Sequence, residues 1–141
     1  MNKKVERNYL EIQSLDDLVE SKKPSDEFKV DLIYPANFQL NKFFYKNIGK
    51  KHHWIDRLVW TDKQWIDYTD DKKVKTFVLK KHEDLVGYYE LICHLDLNET
   101  EIAYLGVLEE YHNKKLGSFL LTSAIKNSFA SNPNRVWVHT C

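Results

Sequence analysis

The chain reads as an α/β (α+β) domain, and three stretches predict it. Ile102 to Leu108 is an apolar run with β-branched and aromatic members, short enough to be a buried strand. After a polar loop from Glu109 to Lys115, apolar residues recur at Leu116, Phe119, Leu120, Leu121, Ala124, Ile125 and Phe129, the spacing of a helix. Val74 to Lys80 and Leu85 to Leu95 read as two strands joined through His82-Glu83-Asp84 as a hairpin. A length of 141 residues suits one domain with a sizeable core.

Taken in order, Tyr9 to Gln13 fits a short strand, and Ser14 is an N-cap signal for a brief helix through about Val19. Ser21 to Glu27, with Pro24 and mixed charge, reads as a linker. Phe28 to Tyr34 alternates Phe, Val, Leu and Tyr on one side, predicting a strand that Pro35 ends. The spacing of Phe38, Leu40, Phe43, Phe44 and Ile48 predicts a helix from about Ala36 to Asn47, stopped by Gly49. Lys50 to Arg57 is loop-like. A second helix opens at Thr61, where Thr-x-x-Gln makes a capping box with Gln64, and ends near Thr69. Asn98 and Glu99 turn the chain into the strand at Glu101. Ser131-Asn132-Pro133-Asn134 breaks the long helix, and Arg135 to Thr140 is a last strand. No repeat or low-complexity tract interrupts this order.

Composition narrows the function classes. Lysine plus arginine equals aspartate plus glutamate at 21 each, so no global field attracts nucleic acid or an anionic membrane. A small partner is expected, with no nucleic acid and no membrane. Cys93 lies within a strand pattern and Cys141 is the only other cysteine, which suits a reduced, cytoplasmic protein rather than a disulfide scaffold. The start lacks an apolar core of signal-peptide length, and no run approaches membrane-spanning length. The six histidines and two cysteines lack zinc spacing, since Cys93-His94 is adjacent and His139-x-Cys141 isolated, so no metal is expected.

The turn from strand to helix between Glu109 and Lys115 leaves the helix's first N–H groups without partners. With the helix dipole they make a site for an anion, typically phosphate. Lys114 and Lys115 add positive charge there. An ordinary strand-turn-helix with solvated lysines is the competing reading, because Gly117 alone is a thin phosphate signature.

From Glu99 to Leu121 the chain resembles the acetyl-CoA-binding motif of the GNAT N-acetyltransferases, an apolar strand followed by Arg/Gln-x-x-Gly-x-Gly/Ala and a helix beginning with leucines. Here the pattern is His112-x-x-Lys115-x-Gly117, then Ser118-Phe119-Leu120-Leu121. His112 stands for the usual Arg or Gln, and Lys115 for the first glycine, whose role is to let backbone approach the pyrophosphate without a Cβ in the way. A lysine can serve there by swinging outward to pair with phosphate as a point charge. In outline the resemblance covers Phe28 to Thr140. It implies a GNAT-like acyl-CoA N-acyltransferase fold, a mixed, mostly antiparallel sheet flanked by helices. Residues 1–27 would be an N-terminal extension and 28–141 the core without its last helix and strands.

The resemblance also implies chemistry. Acetyl-CoA would be co-substrate, held by the loop and helix start at His112, Asn113, Lys114, Lys115, Leu116, Gly117 and Ser118. The pantetheine arm would lie along the free backbone of Leu105, Gly106 and Val107. Glu101 stands where histone-acetylating members carry their glutamate base, and Glu90 on the adjacent strand is the second candidate. A solvent-facing glutamate at a strand start is the equal alternative for Glu101, and a half-exposed strand residue for Glu90. Tyr104 reads as core and Tyr111 as packing beside the loop, which leaves the general acid unassigned. His53 and Trp54, in the loop between the first two helices, are the substrate-pocket candidates, while Trp60 and Trp65 are expected to pack. A last strand ending near Cys141 would expose an unpaired edge, from which either a shortened form or completion by a second copy, a homodimer, is expected. Two functions follow: an N-acetyltransferase acting on a small-molecule or peptide amine, or a non-catalytic acyl-CoA-binding or interaction module.

Overall fold

The computed structural model describes residues 8–112 and 115–140. In chain order the elements are β1 (Asn8–Ile12), β2 (Phe28–Leu32), α1 (Phe38–His52), α2 (Asp62–Thr69), β3 (Val74–Lys81), β4 (Asp84–His94), β5 (Glu99–Val107), α3 (Leu116–Ser128) and β6 (Arg135–Thr140). They form one six-stranded sheet in the order β1-β6-β5-β4-β3-β2. Every neighbouring pair is antiparallel except β5 and β6, which run parallel because α3 carries the chain across between them.

Alternation along β4 divides the core between the two faces of the sheet. Tyr89 and Leu91 join Leu79, Ile102 and Val136 under Leu116, Leu120 and Ala124 of α3. Tyr88 and Val78 face the other way, against Phe44 and Ile48 of α1, and the Phe44 and Tyr88 rings stack 4.9 Å apart at 9°. A fully buried side chain of this size contributes about 1.5–3 kcal/mol, so these two stripes fix α1 and α3 on opposite faces.

The capping box at Thr61 is present: its side chain accepts from the Gln64 N–H, and the Gln64 side chain accepts from the Thr61 N–H. Ser14 caps only a 3-10 turn, Leu15–Asp17, shorter than the helix expected to Val19. The strand predicted to Tyr34 ends at Leu32, and Leu32 and Tyr34 are exposed, so only Phe28 and Val30 of that alternating set face the core.

Gly49 does not stop α1; the helix runs three residues further. It closes as a Schellman-type end, with His53 in the left-handed region (φ 56°, ψ 40°) and the Trp54 N–H donating to the Gly49 carbonyl at 3.1 Å. A Cβ on Gly49 would lie 2.8 Å from Trp54 Cβ. The glycine's role is therefore the close approach of Trp54 to the helix it has just left, and a helical glycine costs only about 1 kcal/mol relative to alanine.

The exposed last edge expected from the sequence is also corrected. β6 pairs with β1 from Asn8↔Thr140 to Ile12↔Val136, so both its sides are in the sheet and β1 is the edge strand. The partner for that edge comes from more than a hundred positions upstream, which removes the reason the edge offered for a second copy.

On β5, a Cβ added to Gly106 would meet Ile48 Cγ2 at 2.6 Å. Ile48 is branched at Cβ and cannot swing away, so Gly106→Ala is expected to lower unfolding free energy by about 1–3 kcal/mol. Ile48→Ala in the same chain should recover part of that loss, read as a coupling free energy in urea titrations of the four-member cycle; strict additivity would refute the close contact.

Candidate active site

β5 is the frame of the site. Its ladder with β6 covers only Glu99↔Arg135 to Ile102↔Val138, while β5 continues to Val107. On the β4 side the bond from Leu108 N–H to the Val86 carbonyl, 2.8 Å, sets the alternation. Backbone groups of residues 104 and 106 then point to β4, and those of Leu105 and Val107 point away, into the gap where β6 diverges. Gly106, grouped with these two from the sequence, has its backbone turned to β4 and owes its lack of a side chain to Ile48.

After Val107 a 3-10 turn, Glu109–Tyr111, leads toward α3. His112 folds back with Nε2 2.9 Å from the Val107 carbonyl oxygen, and Lys51 at the end of α1 pairs with Glu109 at 2.8 Å. Asn113 and Lys114 lie outside the described residues. Lys115 directly precedes α3 in the left-handed conformation (φ 60°, ψ 17°), and among the described residues no side chain caps the helix. The first N–H groups, those of Leu116, Gly117 and Ser118, thus have no intrahelical acceptor. A Cβ at Gly117 would meet nothing within 4 Å, so the space beside this residue is open among the described residues. Leu116 itself is buried and anchors the turn in the core.

Glu101 lies at the other end of β5. The β4–β5 register passes from Leu91↔Ile102 to Glu90↔Tyr104, leaving Ala103 as an extra residue. This bulge puts Glu101 and Tyr104, three apart, on the same face, the one that carries α1. Glu101 Oε1 is 2.9 Å from His94 Nε2, and the two side chains are 18% and 30% exposed. The His94 ring stacks on Trp137 of β6 at 5.8 Å and 13°. Beside them Arg135 donates to both oxygens of Glu99 and to Glu11, and Trp137 Nε1 donates to Glu99. The hydrogen bond from Arg135 holds the Glu99 carboxyl below the usual carboxylate range.

Glu90 is not a half-exposed strand residue. It is fully buried and accepts from Arg57 Nη1 at 2.9 Å, Tyr68 OH at 2.7 Å and Asn41 Nδ2 at 2.8 Å. Arg57, 7% exposed, has its guanidinium over the rings of Tyr68, Tyr104 and Trp60 at 4.1, 4.3 and 4.7 Å. Burial alone would lower the arginine's proton affinity, but the Glu90 carboxylate reverses this and the net direction is upward. Burial, and then Glu90, push the Tyr68 hydroxyl up, and burial pushes Tyr104 up to about 12. Every donor on Glu90 is thereby kept in its donating form. The pair is buried between β4 and the α1–α2 segment.

Trp54 is half-buried against Tyr104 (rings 4.8 Å apart) and Tyr45 (5.7 Å), close to Gly106. With the exposed His53 it lines an open groove of about 480 Å³ at the end of α1, bounded also by Lys46, Lys50 and Leu58. Trp60 and Trp65 pack edge to face at 4.9 Å. The structure therefore brings Glu101, Leu105, Val107 and the α3 start onto one strand-loop-helix unit, sets Trp54 against that strand, and removes Glu90 into the interior. Sequence reasoning passed over His94 and Asn41, whose partners lie on other elements. His94 was noted only as a neighbour of Cys93. Among the described residues, no three His, Cys, Asp or Glu side chains converge as a metal site, and no helix is long and apolar enough to cross a membrane.

Removing one partner of a buried ion pair leaves an uncompensated charge, at a cost of about 3–5 kcal/mol. Glu90→Leu is expected to lose that much in a denaturant titration, with Arg57→Ala similar and the double variant costing clearly less than the sum. Losses below about 1 kcal/mol for both single variants would refute the pair's structural role.

The sequence pattern of the Acetyltransferase (GNAT) family matches residues 35–141. No curated protein matches the chain. Among solved structures, an aminoglycoside acetyltransferase, meta-AAC0020, from an uncultured soil metagenomic sample superposes with a TM-score of 0.68 at 10% identity, over 84% of this chain and 81% of that one. A GCN5-related N-acetyltransferase from Kribbella flavida also gives 0.68, at 14% identity, over 96% of this chain, which spans 49% of that protein. Tetrahymena GCN5 gives 0.56 at 14% identity, over 74% and 66% of the two chains. At these identities the likeness is one of fold. The family pattern covers residues 35–141, and strands β3 to β6, the divergence of β5 from β6 and the start of α3 fall within it: the chain belongs to the GNAT acetyltransferase family.

Proposed function

We propose that this chain transfers an acetyl group from acetyl-CoA directly to a primary amine of a small molecule or peptide, in the cytoplasm. The observation that carries the reading is the gap where β5 leaves β6 beyond Ile102 and Val138, on the strand that leads within nine residues to the uncapped start of α3. The backbone of Leu105 and Val107 would hold the pantetheine arm by strand-like hydrogen bonds. His112, Asn113, Lys114 and Lys115, with the N–H groups of Leu116, Gly117 and Ser118, would take the pyrophosphate. An N–H aimed at the thioester carbonyl polarises it for attack. Glu101, on the last ladder pairs before the gap, would take the proton from the amine, which must be neutral to attack. Trp54 and His53 border the groove through which the amine would enter. Structural neighbours include acetyltransferases named for an aminoglycoside and for a ribosomal-protein alanine, which supports an amine without choosing between small molecule and peptide.

One observation favours the second reading, a non-catalytic acyl-CoA-binding or interaction module. The position where the family pattern has its first glycine carries Lys115, whose Cβ would stand in the way of a close approach of backbone to pyrophosphate. Turnover separates the two readings: a module releases no CoA with any amine of a broad panel.

Calorimetric titration with acetyl-CoA tests the cofactor site. Gly117→Glu sets a carboxylate at the helix start, where the dipole and the phosphate both oppose it, and should weaken binding at least about tenfold, a change of 1.4 kcal/mol. Unchanged binding would refute the loop assignment. Glu101→Gln should lower kcat about 100-fold or more while leaving the acetyl-CoA Kd nearly unchanged; a kcat equal to that of the unaltered chain would remove Glu101 from the chemistry.

A further inference from the structure

The Glu101–His94 pair has a direction. Glu101 sits one residue before the ladder between β5 and β6 ends, so it is the nearer of the two to the gap. His94 is the last residue of β4, on the side of Glu101 away from the gap, and is the more exposed side chain, 30% against 18%. Glu101 Oε1 is taken by His94, while Oε2 and the His94 Nδ1 have no bond among the described residues. Two further charged groups face the histidine, Glu99 from β5 and Arg135 from β6, and they are bonded to each other. Glu99 is thus occupied, and Glu101 is the carboxylate left for the imidazole. Stacking on Trp137 fixes the ring plane.

We propose that His94 is the proton exit of the acetyl transfer, a positioning and relay residue acting through Glu101; this rests on Glu101 being the base. An amine arrives in water as an ammonium ion and must shed one proton to attack. That proton passes to Glu101 Oε2. The neutral carboxyl then turns this O–H to Nε2 of the Nδ1–H tautomer of His94; as Nε2 takes the proton Nδ1 releases one to water, which leaves the carboxylate bonded to Nε2–H, and the ring regains the first tautomer by exchange with water. The amine nitrogen then bonds to the thioester carbon, the carbon–sulfur bond breaks, and the second N–H proton goes to the departing thiolate. Atoms balance as ammonium plus thioester giving amide, thiol and one proton to solvent. Imidazole is suited to this role because it takes up and releases protons near neutral pH through two different nitrogens.

The test uses the full chain with acetyl-CoA and spermidine, kanamycin and a lysine peptide as probe amines, in dilute zwitterionic buffer at one pH. His94→Ala should lower kcat at least about tenfold with KM for acetyl-CoA unchanged, and free imidazole should restore kcat in a saturable way. The unaltered chain should not respond to imidazole. A purely structural role would move stability and leave imidazole without effect, which overturns the proposal, as does a His94→Ala kcat equal to that of the unaltered chain. In the protein without ligands, Glu101→Gln should shift the His94 ring-nitrogen NMR resonances; unmoved resonances also overturn it. No turnover by the unaltered chain with any of the three amines, with the resonances shifting as expected, would instead overturn the catalytic reading on which the relay depends.

Discussion

The buried pair of Arg57 and Glu90 is the interaction on which the α1–α2 side of the molecule depends. Four elements meet at it: Asn41 from α1, Arg57 from the loop, Tyr68 from α2 and Glu90 from β4. An isolated carboxylate so far inside would be ruinously unstable. Three donors, one of them a ring-lined guanidinium, make it tolerable only in one arrangement, so the pair specifies where α2 sits more than it adds stability. Asn41 also donates to Thr76 at 2.8 Å, extending the network to β3. Because Tyr104 lies over the same guanidinium, the arrangement reaches β5 as well.

That reach links packing to the site. The bulge at Ala103 lets Tyr104 turn toward Arg57 while Glu101 stays on the same face. Without the extra residue, strict alternation would put Glu101 and Tyr104 on opposite faces. The region where β5 leaves β6 begins at the same point. A single irregularity in β5 therefore accompanies the orientation of Glu101, the aromatic wall beside Gly106 and the opening of the gap.

Legibility followed the range of the interactions. The Thr61 capping box, the hairpin before β4 and the helical stripe after Leu116 were readable because their determinants lie within a few residues of one another. Gly49 was misread because the contact that requires it, Trp54, follows the helix rather than ending it. Glu90 looked half-exposed because local alternation with Tyr89 and Leu91 is the same whether the opposite face meets water or Arg57, 33 positions away. The pairing of β1 with β6 and the contact of His94 with Glu101 are set by register between strands, which no periodicity records.

Lys115 shows how a departure from a sequence pattern can keep the geometry that the pattern serves. A glycine before the helix start does two things: it omits a Cβ, and it accepts positive φ without penalty. The lysine gives up the first and retains the second, holding φ 60° and ψ 17° at a cost of about 1–2 kcal/mol. Its side chain is exposed, so the strain is not needed to bury anything. The turn is held instead from both ends, by Leu116 in the core and by His112 folded onto the Val107 carbonyl. The uncapped N–H groups at the start of α3 keep their direction, and the ammonium adds a charge of the sign that an anion at that position favours.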